Sequence, residues 1–299
     1  MGEPSIRAIG LAYHYDLPTH GRIHPQQDLA ESDLPAAISP ALNGVNLTIA
    51  DNAYVAVIGQ NGSGKTTLVK HFNGLLKPTA GRVWVEGTDT RDATVGQLAR
   101  RVGYVFQNPD HQIFGATVRE EVGFGPRNLG LTAAEVRERT DEALAAFDLM
   151  DCADAPPAVL GYGLRRKVSL AGVFAMRPHI LILDEPTAGL DARSTAELMA
   201  RVDALHRDGH TIVLVTHDMR LAVRHCHETL VMHEGLALLH GPTREVFCRA
   251  EELARAQLAP PQAARLARRL EPHGFPCDAL TVDDLVEAYV ALRAARGRE

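Results

Sequence analysis

The chain has 299 residues, 45% of them hydrophobic, and a formal net charge of −6. That length and apolar content suit one large α/β domain plus a smaller addition, while the negative balance argues against a nucleic-acid surface, which needs clustered lysine and arginine. The longest apolar stretch, Ser169 to Met176 followed by His179 to Leu183, is broken by Arg177 and Pro178, too soon for a membrane helix.

The N-terminus lacks the basic-then-apolar order of a secretory signal, so the chain is expected in the cytosol, meeting a membrane only through a partner. Cys152, Cys226, Cys248 and Cys277 show no C-x-x-C spacing and are expected to be reduced structural thiols.

Up to about Val95 the pattern predicts short strands and turns: Asn46 to Ile49, Ala53 to Ile58, then Gly81 to Glu86 with alternating Val83 and Val85. A helix-rich section follows, in which Thr132-Ala-Ala-Glu135 opens a long helical run as a capping box. His179 to Leu183 and Thr211 to Val215 are apolar runs expected of buried parallel strands, with a helical segment, Ala192 to Arg207, between them. Alternating strands and helices predict a parallel sheet with crossover helices and a ligand crevice at the C-terminal ends of its strands. After Gly241-Pro242 the strands stop, and the remainder predicts helices broken at Pro272 to Pro276, with a capped start at Leu280-Thr-Val-Asp-Asp284. No internal repeat is evident.

Gly59-Gln60-Asn61-Gly62-Ser63-Gly64-Lys65-Thr66 fits the phosphate-loop pattern between a predicted strand and a predicted helix, the context that gives the pattern meaning. Loop N–H groups and the helix N-terminus would converge on a chain of phosphates. Lys65 would lie along the β- and γ-phosphates and the Thr66 hydroxyl would ligate Mg²⁺, with Thr67 next among the nucleotide-binding candidates. At the other end of the predicted site, Leu181-Ile-Leu-Asp184-Glu185-Pro186 ends a buried strand in two carboxylates, an expensive placement unless a cation or substrate is near. Asp184 would hold Mg²⁺, and Glu185 would polarise the water attacking the γ-phosphate.

The run Leu183-Asp-Glu-Pro-Thr-Ala-Gly-Leu-Asp191, with Val215-Thr-His217-Asp218, resembles the Walker B, D-loop and switch-histidine series of ABC-type ATPases. The resemblance implies that His217 contacts the γ-phosphate and that Asp191 lies along a dimer seam. Val102-Gly-Tyr-Val-Phe-Gln107-Asn-Pro-Asp-His-Gln-Ile-Phe114 resembles the Q-loop of one branch, the energy-coupling factor ATPases. It is continued by Thr117-Val-Arg-Glu-Glu-Val-Gly-Phe-Gly-Pro-Arg-Asn-Leu-Gly-Leu131.

The likeness runs from about Ile6 to Leu292. It implies an ATP-hydrolysing subunit of a vitamin or transition-metal importer, peripheral on the cytosolic face of the membrane. Its partners would be a second ATPase subunit, a transmembrane energy-coupling subunit and a substrate-binding membrane protein. Gln107 would reach Mg²⁺ and the attacking water, and the following segment would form the groove for a coupling helix. The implied fold is an ABC-type nucleotide-binding domain over 1–243, with a parallel core sheet, an antiparallel β subdomain and a helical subdomain near 108–178. A C-terminal helical extension would occupy 244–299.

Tyr13-His-Tyr15 occupies the family's adenine-stacking place, and Tyr15 is the chosen candidate. Asp16 to Pro40 is longer than the family's turn and contains His20, His24 and four prolines. It is expected to be a surface insertion; a metal-sensing element built from His14, His20 and His24 is the alternative, without regular ligand spacing.

A second departure lies at the signature. Where the family has L-S-G-G-Q, this chain has Leu160-Gly161-Tyr162-Gly163-Leu164. Gly161 removes a serine hydroxyl that would bond a γ-phosphate on the opposite subunit, at a cost of about 1.5–3 kcal/mol. Leu164 removes the amide. Backbone donors at Gly161 and Gly163 and the helix N-terminus remain, and Arg165-Arg166-Lys167 belong to that helix. A heterodimer with a paralogue carrying an intact signature is therefore expected. Two other readings stay open: a soluble ABC ATPase outside transport, and a nucleotide-binding scaffold with weak hydrolysis.

Overall fold

Side-chain alternation along three neighbouring strands divides the interior into two cores. In the computed structural model, which describes residues 3–15 and 40–296, β3 (Tyr54–Gly59) sends Tyr54, Ala56 and Ile58 to one core and Val55 and Val57 to the other. β7 (Ile180–Asp184) and β8 (Thr211–Val215) divide in the same way, with Leu181, Leu183, Ile212 and Leu214 on the first side and Ile180, Ile182, Val213 and Val215 on the second. Both faces being covered explains why these strands are continuously apolar.

These strands form the middle of a six-stranded sheet in the order β10-β9-β3-β8-β7-β6. Its remaining members are β6 (Val102–Val105), β9 (Glu228–His233) and β10 (Leu236–Pro242), and only β10 runs antiparallel to its neighbour. A second, antiparallel sheet has the order β2-β1-β4-β5, built from β1 (Ile6–Tyr13), β2 (Leu42–Ile49), β4 (Ala80–Val85) and β5 (Thr88–Asp89). It covers the second core together with α1 (Lys65–Phe72) and α2 (Val95–Leu98). The sheets are stitched where Asn43 N–H donates to the Gly235 carbonyl at 2.9 Å.

Helices α3 (Val118–Val122), α4 (Phe124–Asn128), α5 (Ala133–Ala146) and α6 (Tyr162–Phe174) pack on one another beyond β6. α5 starts at Thr132, whose hydroxyl accepts from Glu135 N–H while the Glu135 carboxylate accepts from Thr132 N–H. α7 (Ala192–Arg207) and α8 (Met219–His225) complete the first core, and the chain ends in α9 (Thr243–Cys248), α10 (Ala250–Arg255), α11 (Gln262–Leu270) and α12 (Val282–Arg296). α12 opens as anticipated, with Thr281 Oγ1 accepting from Asp284 N–H at 3.1 Å.

The segment Asp16 to Pro40, including His20 and His24, lies outside the described residues except for Pro40. Its flanks meet where Ala41 N–H donates to the Tyr13 carbonyl at 2.8 Å. All four cysteines are free. Their spacing did not reveal that Cys248 and Cys277 come together, sulfur to sulfur at 2.8 Å. Among the described residues, no helix is long and apolar enough to cross a membrane.

Candidate functional site

The phosphate loop leaves β3 at Gly59 and ends at Lys65, the first residue of α1. Gly64 has φ +98°, and a Cβ there would stand 2.7 Å from the Ala41 carbonyl oxygen, so only glycine allows the loop to press against the start of β2. The Lys65 ammonium donates to the carbonyls of Gly59 and Gln60, each at 2.8 Å. Burial lowers its pKa, opposed by the charges of Glu185 and then Asp184.

A cleft of about 330 Å³ opens above the loop. Asn61, Gly62, Gly64, Lys65, Thr66 and Thr67 line its floor, with Tyr15, Gln107, Asp184 and Glu185 around it. The exposed Tyr15 stands at the rim, its hydroxyl 2.9 Å from that of Thr67. Gly59, Gln60 and Ser63 belong to the loop without lining the cleft.

Parallel pairing puts the end of β7 beside the loop. Asp184 Oδ2 accepts from the Thr66 hydroxyl at 3.0 Å and from the Tyr104 hydroxyl at 2.9 Å. Its Oδ1 is buried with no hydrogen-bond partner among the described residues. A buried carboxylate oxygen left without a donor, beside a hydroxyl, fits a hard, oxygen-ligated cation such as Mg²⁺. Among the described residues, no group of three His/Cys/Asp/Glu side chains is placed to hold a metal ion; His20 and His24 of the metal-sensing alternative lie outside those residues.

Glu185 has φ +49°, an uncommon conformation for a residue with a side chain. It is held there by its N–H donating to the Val215 carbonyl at 2.9 Å, and its Oε1 lies 2.8 Å from His217 Nδ1. His217 itself is mostly exposed, with 72% of its side chain open, facing an adjoining groove of about 730 Å³.

Gly161, Gly163 and Asp191 do not join this cleft. Gly161 caps the N-terminus of α6 without a side-chain hydrogen bond, and a Cβ at either glycine would meet nothing within 4 Å. Asp191 caps α7, its Oδ1 accepting from Ser194 N–H at 2.7 Å, a bond that lowers its pKa. Tyr162 packs in cis on the segment leading to that cap: a Cβ on Gly189 would lie 2.5 Å from its ring.

Three contributors escaped the sequence reading. Tyr104 depends on the β6–β7 adjacency, for which no local signal exists. Gln112 holds Phe106 N–H at 3.3 Å and the Ser169 hydroxyl at 2.8 Å. Arg166 is fully buried while its neighbours pair at the surface, Arg165 with Asp110 and Lys167 with Asp148. Its spacing with Ser169, Leu170 and Val173, all on the buried face of α6, was the overlooked signal.

Residues 42–188 match the ABC transporter family. The chain is 44% identical over 296 residues to the energy-coupling factor transporter ATP-binding protein EcfA1 of Symbiobacterium thermophilum, covering 98% of this chain and 99% of that one. EcfA2 of the same organism is 45% identical over 261 residues, 86% of this chain and 91% of that one. A putative ABC transporter ATP-binding protein of Caldanaerobacter subterraneus is 46% identical over 230 residues, 77% of this chain, which spans 40% of that protein's length. Among solved structures, cbiO1 of Clostridium perfringens, described as part of the ABC transporter complex cbiONQ, superposes with a TM-score of 0.69 at 33% identity, covering 90% of this chain and 100% of that one. With the strand order, the phosphate loop and the carboxylate pair already in place, these likenesses make the chain a member of the energy-coupling factor transporter ATP-binding proteins, a branch of the ABC ATPases.

Proposed function

We propose that this chain is the ATP-hydrolysing subunit of an energy-coupling factor importer, peripheral on the cytosolic membrane face, with its cassette in 1–243 and a helical extension in 244–299. The observation that carries the reading is the convergence of Lys65, Thr66, Asp184 and Glu185 on one cleft, with His217 bonded to Glu185.

In this reading the N–H groups of the loop and the Lys65 ammonium bind the phosphates, and Tyr15 stacks on the adenine from the rim. The Thr66 hydroxyl, Asp184 Oδ1 and the Gln107 amide would hold Mg²⁺, which when bound acts as a Lewis acid on the phosphate oxygens. Glu185 takes a proton from the attacking water, and the bond from His217 holds its carboxylate in place.

The segment after Gln107 supports a docking role. Phe114 and Phe124, both exposed, meet edge to face at 4.4 Å. The loop before α3 is fixed by Glu121, which accepts from Phe114 N–H at 2.9 Å and Gly115 N–H at 2.6 Å. This apolar knob is suited to a helix of the transmembrane partner.

The partner ATPase is proposed to be a paralogue. Gly161 and Leu164 weaken this chain's signature, and the relatives named EcfA1 and EcfA2 occur as a pair in one organism. In an assembled membrane complex, Glu185→Gln should keep ATP binding and lose roughly a hundredfold in hydrolysis. Undiminished turnover would remove Glu185 from the mechanism.

A further inference from the structure

Arg166 is the largest fully buried side chain described in this protein, at 0% exposure. A guanidinium has five N–H donors in a fixed fork and no acceptor, and a buried charge is tolerated only when such groups are satisfied. Here all five meet main-chain carbonyls. Nε donates to Pro186 at 3.0 Å. Nη1 donates to Gln107 at 3.0 Å and to Phe106. Nη2 donates to Glu185 at 2.7 Å and to Asp184 at 3.3 Å. No carboxylate lies within ion-pair distance of it among the described residues, and burial lowers its pKa against the attraction of Tyr162, Asp184 and Glu185.

The five carbonyls come from two places only: the segment leaving β6 that carries Gln107, and the segment leaving β7 that carries Asp184 and Glu185. Arg166 stands on neither. It rises from the second turn of α6, so one planar cation spans the signature helix and both segments that hold the reacting groups. The peptide planes it fixes include that of Glu185, whose φ of +49° needs outside support.

We propose that Arg166 is a positioning residue for ATP hydrolysis, setting the Gln107 and Glu185 segments against each other through this carbonyl cage. The inference rests on the proposed roles of Gln107 and Glu185. None of the five carbonyls belongs to the phosphate loop, so removing the guanidinium should affect turnover more than nucleotide affinity. A lysine does not substitute, because an ammonium is a single point with three donors.

The experiment compares wild type, Glu185→Gln, Arg166→Lys and Arg166→Gly in the assembled membrane complex, measuring kcat, KM for ATP, nucleotide binding and thermal unfolding. Displacements of about 1 Å cost on the order of a hundredfold. The expected result is that fall in kcat for both Arg166 variants with KM within about threefold of wild type, and partial recovery of Arg166→Gly, but not Arg166→Lys, by added guanidinium ion. Should Arg166→Gly fail to fold, the kcat and KM of Arg166→Lys decide. The inference is overturned if a folded Arg166→Lys keeps kcat within twofold, or if the variants lose kcat and ATP affinity together, as general loosening would produce. Glu185→Gln separates the two levels. An active wild type silenced by Glu185→Gln but indifferent to Arg166→Lys refutes this inference alone, whereas a wild type unaffected by Glu185→Gln refutes the underlying reading.

Discussion

His217 Nδ1 lies 2.8 Å from Glu185 Oε1, so a residue two positions beyond β8 holds the carboxylate that directly follows β7. Glu185 sits in a strained backbone conformation, and this bond fixes where its charge points. His217→Ala should therefore lower ATP turnover by about ten- to a hundredfold while leaving KM for ATP nearly unchanged. Steady-state kinetics on the assembled complex check this, and an unchanged kcat would show that the bond is incidental.

Gly161 and Leu164 give a prediction about asymmetry. A Cβ at Gly161 meets open space, so Gly161→Ser with Leu164→Gln should fold normally, the new cap adding only a few tenths of a kcal/mol. In a heterodimer whose intact signature serves this chain's phosphate loop, the double variant should raise turnover less than about threefold. In a homodimer the restored bond, worth about 1.5–3 kcal/mol, would raise it roughly ten- to a hundredfold. The size of the gain in the purified complex distinguishes the two assemblies.

Tyr162 and Gly189 tie the signature to the segment before α7. Gly189 has φ +76°, and an added Cβ would lie 2.5 Å from the tyrosine ring. Gly189→Ala should cost about 1–2 kcal/mol from the backbone alone and push the ring aside. Adding Tyr162→Ala should recover the steric part and leave the backbone part. Urea unfolding of the two single variants and the double variant measures both; additive losses would show that the ring does not press on this glycine.

His71, fully buried on α1, has its pKa lowered to about 4, chiefly by desolvation, against the bond from its Nδ1–H to the Thr67 carbonyl. The folded value lies below the unfolded one, so the unfolded chain binds the extra proton. The associated stability is complete above about pH 6.5 and is lost as pH falls towards 4, by roughly 3 kcal/mol in all. Wild type should lose that much more than His71→Gln over this window in urea titrations. Parallel pH profiles would show that His71 does not carry the effect.

Cys248 and Cys277 lie 2.8 Å apart, and the Cys248 thiol is pushed up to about 12, chiefly by burial. A disulfide-forming oxidant such as diamide should therefore act first at the exposed Cys277, after which Cys248 closes an intrachain bridge with loss of both thiol hydrogens to the oxidant. Intact mass and thiol titration of wild type against Cys248→Ser read this directly. Four thiols still free after treatment would contradict it.

Periodicity along the chain was enough to anticipate the apolar strand expected at His179 to Leu183 and found at Ile180–Asp184, the strand at Thr211–Val215, the helix at Ala192–Arg207 and the Thr132–Glu135 cap, and to nominate the candidates of the phosphate loop and the carboxylate pair. These features are written in neighbouring residues: strand alternation, helical spacing, a capping box, a glycine-rich turn. Other relationships join residues far apart in the chain. The Tyr104 bond to Asp184 spans 80 positions, the Arg166 bond to the Gln107 carbonyl 59, and the contact between Cys248 and Cys277 29. Each exists because strand order and helix packing bring together segments whose local patterns carry no trace of one another. Arg166 shows the division most plainly, since Arg165-Arg166-Lys167 is one basic run in the chain. The rotation of α6 against β6 and β7 turns only its middle member inward, where backbone carbonyls replace water around the charge.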